Sequence, residues 1–406
     1  MKKGNDNSLL SKYVKFCGKK TLDLIHTKAE RLHDKHVVFI SSTYQGGGVA
    51  EMLNSLIFLF NDIGIKVGWR ILHGTVDFFT TTKKIHNALQ GDKINLSQRK
   101  KHLYVETNRR FSIYTHIDHD MVVVHDPQPL PLIEFYKKTK PWIFRCHIDT
   151  SQSDLETWSY LKEYMNKYDR IIVSKDEYKR DLQIPNTVIY PAIDPLSMKN
   201  HRLTELAIQE ILTKHGINTD KPLVAQISRF DKWKDPLGVI KVFEKVRAKI
   251  NCTLVLLGEF ASDDPEGSMI YKKTIKKAER SKFKNDIKII LADSDILVNC
   301  LQRKAAVVVQ KSIKEGFGLV VAEALYKGTP VVAANAGGIP LQVVDGFNGY
   351  LLAPDDIQGF ADKVVLLLKN SELRTKLGAN GAAHIKNNFL ITRLLIDWLN
   401  VFTQYL

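Results

Sequence analysis

Short apolar runs alternate along the chain with longer stretches of mixed polarity, and the alternation predicts strands joined by helices. In the first half, HVVFISS (36–42), VGWRILH (67–73), MVVVHD (121–126), PWIFRCHI (141–148), RIIVS (170–174) and TVIYPA (187–192) are candidate strands. Helical patterning lies between most of them, including 48–62 and 154–167. A second set opens at Pro222 with PLVAQIS, CTLVLLG, IKIILA, AAVVVQ and TPVVAA. These are continuous apolar runs, the pattern of strands covered on both faces. Such alternation gives parallel sheets built from βαβ units, so the expected fold is α/β with two open-sheet domains. The segment PAIDPLSMKN (191–200) carries two prolines between the sets and is the expected hinge. The expected domains are therefore 1–195, with a basic extension over 1–35, and 196–386, followed by a helix over 387–406 that packs on the first domain.

Composition narrows the function without deciding it. A chain of 406 residues exceeds the length at which one core keeps growing, which agrees with two domains of roughly 200 residues. With 44% hydrophobic and 25% charged residues the composition is that of an ordinary globular protein. No apolar run is long enough to span a bilayer. MKKGNDNSLL and the lysines at 12, 15, 19 and 20 form no secretory signal, so a cytoplasmic location is expected. Cys17, Cys146, Cys252 and Cys300 lie far apart and read as reduced thiols. The net charge of +15 asks for an anionic partner. Its lysines and arginines are dispersed, as in KKTKPW, RSKFKND and SQRKKHLY, and no glycine-aromatic run accompanies them, so no nucleic-acid partner is expected. Residues 8–33 suit a basic helix with Leu9, Leu10, Tyr13, Phe16 and Leu24 partly on one side. Such a helix lies on anionic lipid or packs on its own domain, and packing is the favoured reading over membrane contact. A phosphorylated substrate remains.

Ligands of open α/β sheets sit beyond the carboxyl ends of the strands, and the chemistry-bearing residues cluster there. After the first strand comes Ser41-Ser42-Thr43-Tyr44-Gln45-Gly46-Gly47-Gly48, whose glycines either admit a ligand to the backbone or make a tight turn. His125-Asp126-Pro127-Gln128-Pro129 follows the third strand as a stiff polar loop. Arg145-Cys146-His147-Ile148-Asp149 ends the next, where the histidine is either a core residue or a cleft residue. In the second set, Arg229 and Lys234 leave a strand end together, so both charges could meet on one diphosphate, the arginine as a fork and the lysine as a point charge. Glu315 and Glu323 stand eight residues apart around Gly316-Phe317-Gly318. Residues 319–326 read as a buried helix that Gly328-Thr329-Pro330 stops. Its bare N-terminus attracts phosphate, while a carboxylate one turn further in could accept hydrogen bonds from sugar hydroxyls. The combination suggests a nucleotide-sugar site; the plainer alternative is that each acid caps its own loop.

The E-x7-E of Glu315 and Glu323, the S-R-F-x-x-x-K of Ser228 to Lys234 and the triple glycine together resemble the retaining glycosyltransferases of family 4. The strings STYQGGGVAEML, FFTTTKKIHNALQG, HDPQP, RCHIDTS, IDPLS, SRFDKWKD, DDPEG and EGFGL narrow the resemblance to the trehalose synthase group, over residues 36–392. Lys314 stands where that group often has arginine, and the basic N-terminal extension is a departure from it. The resemblance implies a GT-B fold, two Rossmann-like domains facing each other across a cleft. It also implies transfer of glucose from ADP-glucose or UDP-glucose to free glucose, reversibly, to give α,α-trehalose. Arg229 and Lys234 would neutralise the diphosphate with the N–H groups of Gly316, Phe317, Gly318 and Leu319. Glu323 would hold the ribose and Glu315 the transferred glucose, with Gly47 and Gly48 passing close to both substrates. His147 would meet the donor sugar near its reacting end; Asp126, Gln128 and Arg145 would bind the acceptor. His147, Arg229, Lys234 and Glu315 are thus the expected catalytic group. Two carboxylates within one phosphate-binding segment are badly placed to act as a glycosidase pair. No tightly bound cofactor or metal is expected, with magnesium (Mg) acting, if at all, on nucleotide binding. A homodimer is an allowed assembly. The rival readings are a trehalose phosphorylase, a membrane-associated glycosyltransferase with another acceptor, and a non-catalytic anion-binding protein.

Overall fold

The computed structural model describes residues 8–44, 47–259 and 266–406. They divide into two units: one holds the chain up to Ala192 together with Ile391–Leu406, and the other holds the described residues from Ile193 to Leu390.

The first unit contains β1 (His36–Ser41), β2 (Lys66–Ile71), β3 (Met121–His125), β4 (Trp142–Arg145), β5 (Arg170–Val173) and β6 (Asn186–Val188). They pair in the order β2-β1-β3-β4-β5-β6, and every pairing is parallel. Val38 lies opposite Gly68 on one side and Val122 on the other, and Val122 lies opposite Trp142. β3 and β4 are buried at every position, as their unbroken apolar runs require. From β1 the chain steps to β2 on one side, then returns to lay β3 on the other. The order reverses between β1 and β3, so the crevice for ligands lies where Ser41 and His125 end their strands.

The helix Ile391–Phe402 closes this unit by burying Leu394, Leu395, Trp398, Leu399 and Phe402. These recur at three- and four-residue spacing, one face of a helix. The face packs on the helices Lys19–Glu30 and Gly48–Asp62, with Phe402 5.2 Å from Phe60 and Trp398 5.6 Å from Phe39 between ring centres. The single basic helix expected over 8–33 is divided. Gly18 at φ 78° separates Val14–Cys17 from Lys19–Glu30, a backbone angle that glycine adopts without steric cost. Leu10 and Tyr13 are buried, and both oxygens of the Asp62 carboxylate accept from the N–H groups of Leu9 and Leu10, at 3.0 and 2.7 Å. Leu22, Ile25 and Ala29 face inward while Leu24 is exposed, so the apolar stripe of the second piece is used inside the unit and does not include Leu24.

The second unit contains β7 (Leu223–Ile227), β8 (Thr253–Gly258), β9 (Ile287–Leu291), β10 (Val307–Gln310), β11 (Val331–Ala334) and β12 (Gly349–Leu352). Their order is β12-β11-β10-β7-β8-β9, again wholly parallel. β12 was not among the strands predicted from the apolar pattern. It is four residues long and begins with Gly349, where a side chain would meet the Val331 carbonyl at 2.4 Å. The core joins Val224, Leu254 and Val332 of the sheet to Val239, Ile240 and Phe243 of the helix Pro236–Arg247. Here the order reverses between β7 and β10, which places the ends of Ile227 and Gln310 at the crevice. Among the described residues no helix is long and apolar enough to cross a membrane.

Candidate functional site

The two segments leaving that reversal point in the second unit are tied to each other. After β7 the chain makes a short turn over Lys232–Lys234, and Asp235 follows at φ 45°. Its carboxylate caps the helix Pro236–Arg247, accepting from the Gly238 N–H at 2.9 Å, and also accepts from Lys311 Nζ at 2.5 Å. Gln226 Nε2 donates to the Lys234 carbonyl at 2.7 Å. Held from both sides, Lys234 sends its Nζ to Glu315 Oε2 at 2.6 Å, with the two side chains 16% and 8% exposed. The same oxygen accepts from Ser312 Oγ at 3.1 Å and Gln310 Nε2 at 3.3 Å. Three donors on one oxygen leave the carboxylate little freedom.

The turn after Glu315 is equally constrained. Gly318 caps the helix Leu319–Tyr326 in the left-handed conformation at φ 85°, and no side chain caps that helix end. Gln342 Nε2 donates to the Phe317 carbonyl at 2.6 Å. Gly338 lies so close that a side chain there would meet the Gly316 carbonyl and the Phe317 Cα at 2.8 Å. The first N–H groups of a helix have no partner within it, so this end presents donors that a rigid loop keeps in place. Glu323 lies within the helix, 1% exposed, and accepts from Gln302 Nε2 at 2.8 Å. Arg229 is half-buried beside Glu259. Burial and a hydrogen bond with the Asp293 carboxyl push the Glu259 carboxyl up, against the charges of Lys199 and Arg229.

In the first unit, Asp126 adopts φ 64° directly after β3. The backbone N–H of His147 donates to its Oδ1 at 2.8 Å, and its own N–H donates to the Arg145 carbonyl at 2.8 Å. Arg145 is 2% exposed; its Nη2 donates to Ser174 Oγ and the Ile189 carbonyl, both at 2.9 Å, and its Nη1 is buried without a partner. Burial lowers the guanidinium to about 10. Gln128 is buried with its Oε1 unpaired, while its carbonyl accepts from Asn108 Nδ2 at 3.0 Å. His125 and His147 share a hydrogen bond of 3.1 Å. Desolvation lowers both, His125 to about 3 and His147 well below its ordinary value, with the Arg145 charge acting in the same direction, so both rings are neutral. Gly47 caps the helix Gly48–Asp62 at φ 93°, a conformation that favours glycine. Gln45, Gly46 and residues 263–265 of the DDPEG string lie outside the described residues.

The structure thus brings together Lys234, Glu315 and the turn Gly316–Gly318 in one unit, and Asp126, Arg145 and His147 in the other. Within the second unit Glu323 is bonded to Gln302 rather than to this turn, and the Arg229 charge acts on the Glu259 carboxyl. Sequence reasoning passed over Gln310, Ser312, Gln302 and Glu259. The signal for the first and last was their place at the ends of β10 and β8, where strands open onto ligands.

The family model described as "Trehalose synthase, N-terminal domain" matches residues 39–180, and that described as "Glycosyl transferases group 1" matches 207–384. The trehalose synthase of Thermococcus litoralis is 42% identical over 410 residues, covering 99% of this chain and 98% of that protein. The trehalose synthase of Rubrobacter xylanophilus is also 42% identical, covering 93% of this chain and 92% of that protein. Among solved structures, the α,α-trehalose-phosphate synthase (UDP-forming) of Burkholderia xenovorans in complex with glucose-6-phosphate superposes with a TM-score of 0.73 at 13% identity, over 91% of this chain and 99% of that one. That likeness shows the fold, two parallel-sheet α/β units of the GT-B type. Alike over nearly its whole length to proteins of one kind, the chain belongs to the trehalose synthase family of glycosyltransferases.

Proposed function

We propose that the chain transfers glucose, with retention and reversibly, from a nucleoside diphosphate glucose to free glucose, forming α,α-trehalose. The observation that carries this reading is the Lys234–Glu315 pair beside an uncapped helix end at the order reversal of the second unit. Lysine has three N–H donors, and Glu315 uses one at 2.6 Å, so Nζ can bridge that acid to a phosphate oxygen. With Arg229 and the N–H groups of Gly316, Phe317, Gly318 and Leu319, it meets the charge that grows on the diphosphate as the glycosidic bond breaks. In this reading no resident metal takes that part. Glu315 accepts from hydroxyls of the transferred glucose and Glu323 from those of the ribose.

His147 donates to the donor sugar near its reacting end, and Gly47 and Gly48 let both substrates approach the backbone. Asp126 and Gln128 bind the acceptor glucose, supported by the buried Arg145. The acceptor hydroxyl attacks from the face that the nucleotide leaves, and a phosphate oxygen of the leaving group takes its proton.

The test is direct. Purified protein with glucose and either ADP-glucose or UDP-glucose should release the nucleoside diphosphate and yield a disaccharide that NMR identifies as α,α-trehalose. A disaccharide of another linkage, a lipid-linked product, or no transfer with any donor defeats the proposal. Release of glucose from trehalose and phosphate, with no nucleotide present, would transfer the assignment to a phosphorylase.

A further inference from the structure

His125 ends β3 and has no substrate assigned to it, yet its ring is bonded to the histidine that the proposed function places on the donor sugar. Nδ1 of His125 lies 3.1 Å from Nε2 of His147, with the rings 14° from parallel. Two neutral imidazoles in this contact share one N–H, so one donates and the other accepts. If His147 donated from Nε2, His125 would carry its own proton on Nε2. That atom is buried without a partner, and a buried orphan N–H is the rarer kind of unsatisfied group. The other arrangement avoids that cost. His125 donates from Nδ1, its Nε2 keeps a lone pair, and His147 carries its proton on Nδ1.

The rest of His147 is held by the same corner of the fold. Its backbone N–H donates to Asp126, the residue after His125. The His125 ring is itself fixed by Phe39 at 5.3 Å and by Trp398 of the helix Ile391–Phe402 at 6.3 Å between ring centres. Among the described residues Nδ1 of His147 has no hydrogen-bond partner, which leaves it for a ligand.

We propose that His125 is a positioning residue that fixes His147 as its Nδ1–H tautomer, so that His147 presents a hydrogen-bond donor to a hydroxyl of the bound sugar. The catalytic half of this inference rests on the assignment of His147 to the donor glucose. The tautomer itself does not.

Nitrogen-15 NMR of the histidine rings in the full-length protein, with His125→Asn and His147→Gln used for assignment, reads the tautomer without any turnover. The expected result is a protonated Nδ1 on both rings at neutral pH; an Nε2–H tautomer for His147 overturns the proposal. In the second arm, His125→Phe keeps a ring but no donor and should lower kcat by about 100-fold with little change in KM for glucose. His125→Asn, which returns an N–H near the position of Nδ1, should recover most of that loss. Equal impairment of the two variants would assign His125 to packing alone and also overturn the proposal. Near-normal turnover in His147→Ala would remove the assignment of His147 to the sugar and with it the catalytic half, while the NMR result would stand by itself.

Discussion

Glu315 Oε2 accepts from Lys234, Gln310 and Ser312 at once, so removing the lysine leaves the carboxylate anchored by neutral donors and subtracts one positive charge from the site. Lys234→Ala is therefore expected to lower turnover by at least about 100-fold, the scale of losing one charge contact to the transition state. Initial rates with saturating donor and glucose measure it, and near-normal turnover would remove the diphosphate from this strand end. A second prediction concerns acid. When unfolded, His125 takes its proton at the ordinary value of 6.5, but when folded only at about 3. Between those values the unfolded chain binds the additional proton, so stability declines as pH falls through that window, by up to about 1.4 kcal/mol per pH unit. Denaturant titrations across the window should show a shallower decline in His125→Asn; an unchanged slope would mean that the ring takes its proton in the fold. Lysine, arginine and glutamate were legible at this scale because charge and chemistry travel with residue type. Gln310 and Ser312 were not, because a neutral polar side chain acquires meaning only from what it touches, and His125 was legible only as part of the HDPQP loop, without its bond to His147.

At the scale of elements, the turn that carries Lys234 depends on Asp235, which caps one helix and neutralises a buried lysine with the same carboxylate. Asp235→Ala removes a cap, worth about 1 kcal/mol, and strands Lys311, which is 2% exposed. Breaking a buried pair from one side costs about 3–5 kcal/mol, so the electrostatic loss exceeds the capping loss. Equilibrium unfolding should show a loss in this larger range for Asp235→Ala and partial recovery in Asp235→Ala/Lys311→Met, where no buried charge remains. A loss near that of the cap alone would show that Lys311 finds water. The strands were readable as elements because both faces of a parallel sheet are covered, giving runs such as VVVH at β3 and TLVLLG at β8. β12 offered only four residues, whereas β9, an outer strand of its sheet with Lys288 and Leu291 exposed, was still readable from IKIILA. The N-terminal helix was read as continuous because helical periodicity carries through Gly18, while the positive φ that breaks it leaves no trace except the glycine itself.

For the whole molecule, order in the chain and order in space differ. The chain leaves the first unit at Ala192, builds the second and returns at Ile391. The helix Ile391–Phe402 supplies Trp398, which packs against Phe39 of β1 and His125 of β3, so a helix that follows the whole second unit in sequence supports the corner that holds His147. Amphipathic spacing reveals the helix, but no local pattern names the sheet it covers. Trp398 is 2% exposed, and replacing such a side chain by alanine costs about 3–5 kcal/mol through lost burial and the cavity left behind. Of the five tryptophans, Trp69, Trp142, Trp158 and Trp398 belong to the first unit and Trp233 to the second. Tryptophan fluorescence therefore reports chiefly on the first unit. In Trp398→Ala its denaturation midpoint should fall, and turnover should fall with it, because the His125 ring loses one of the aromatic side chains that hold it. Trp398→Phe keeps an aromatic ring in place and should recover most of both. A lowered midpoint with full turnover would separate the stability of the first unit from the alignment of His147, and the final helix would then support the fold without serving the site.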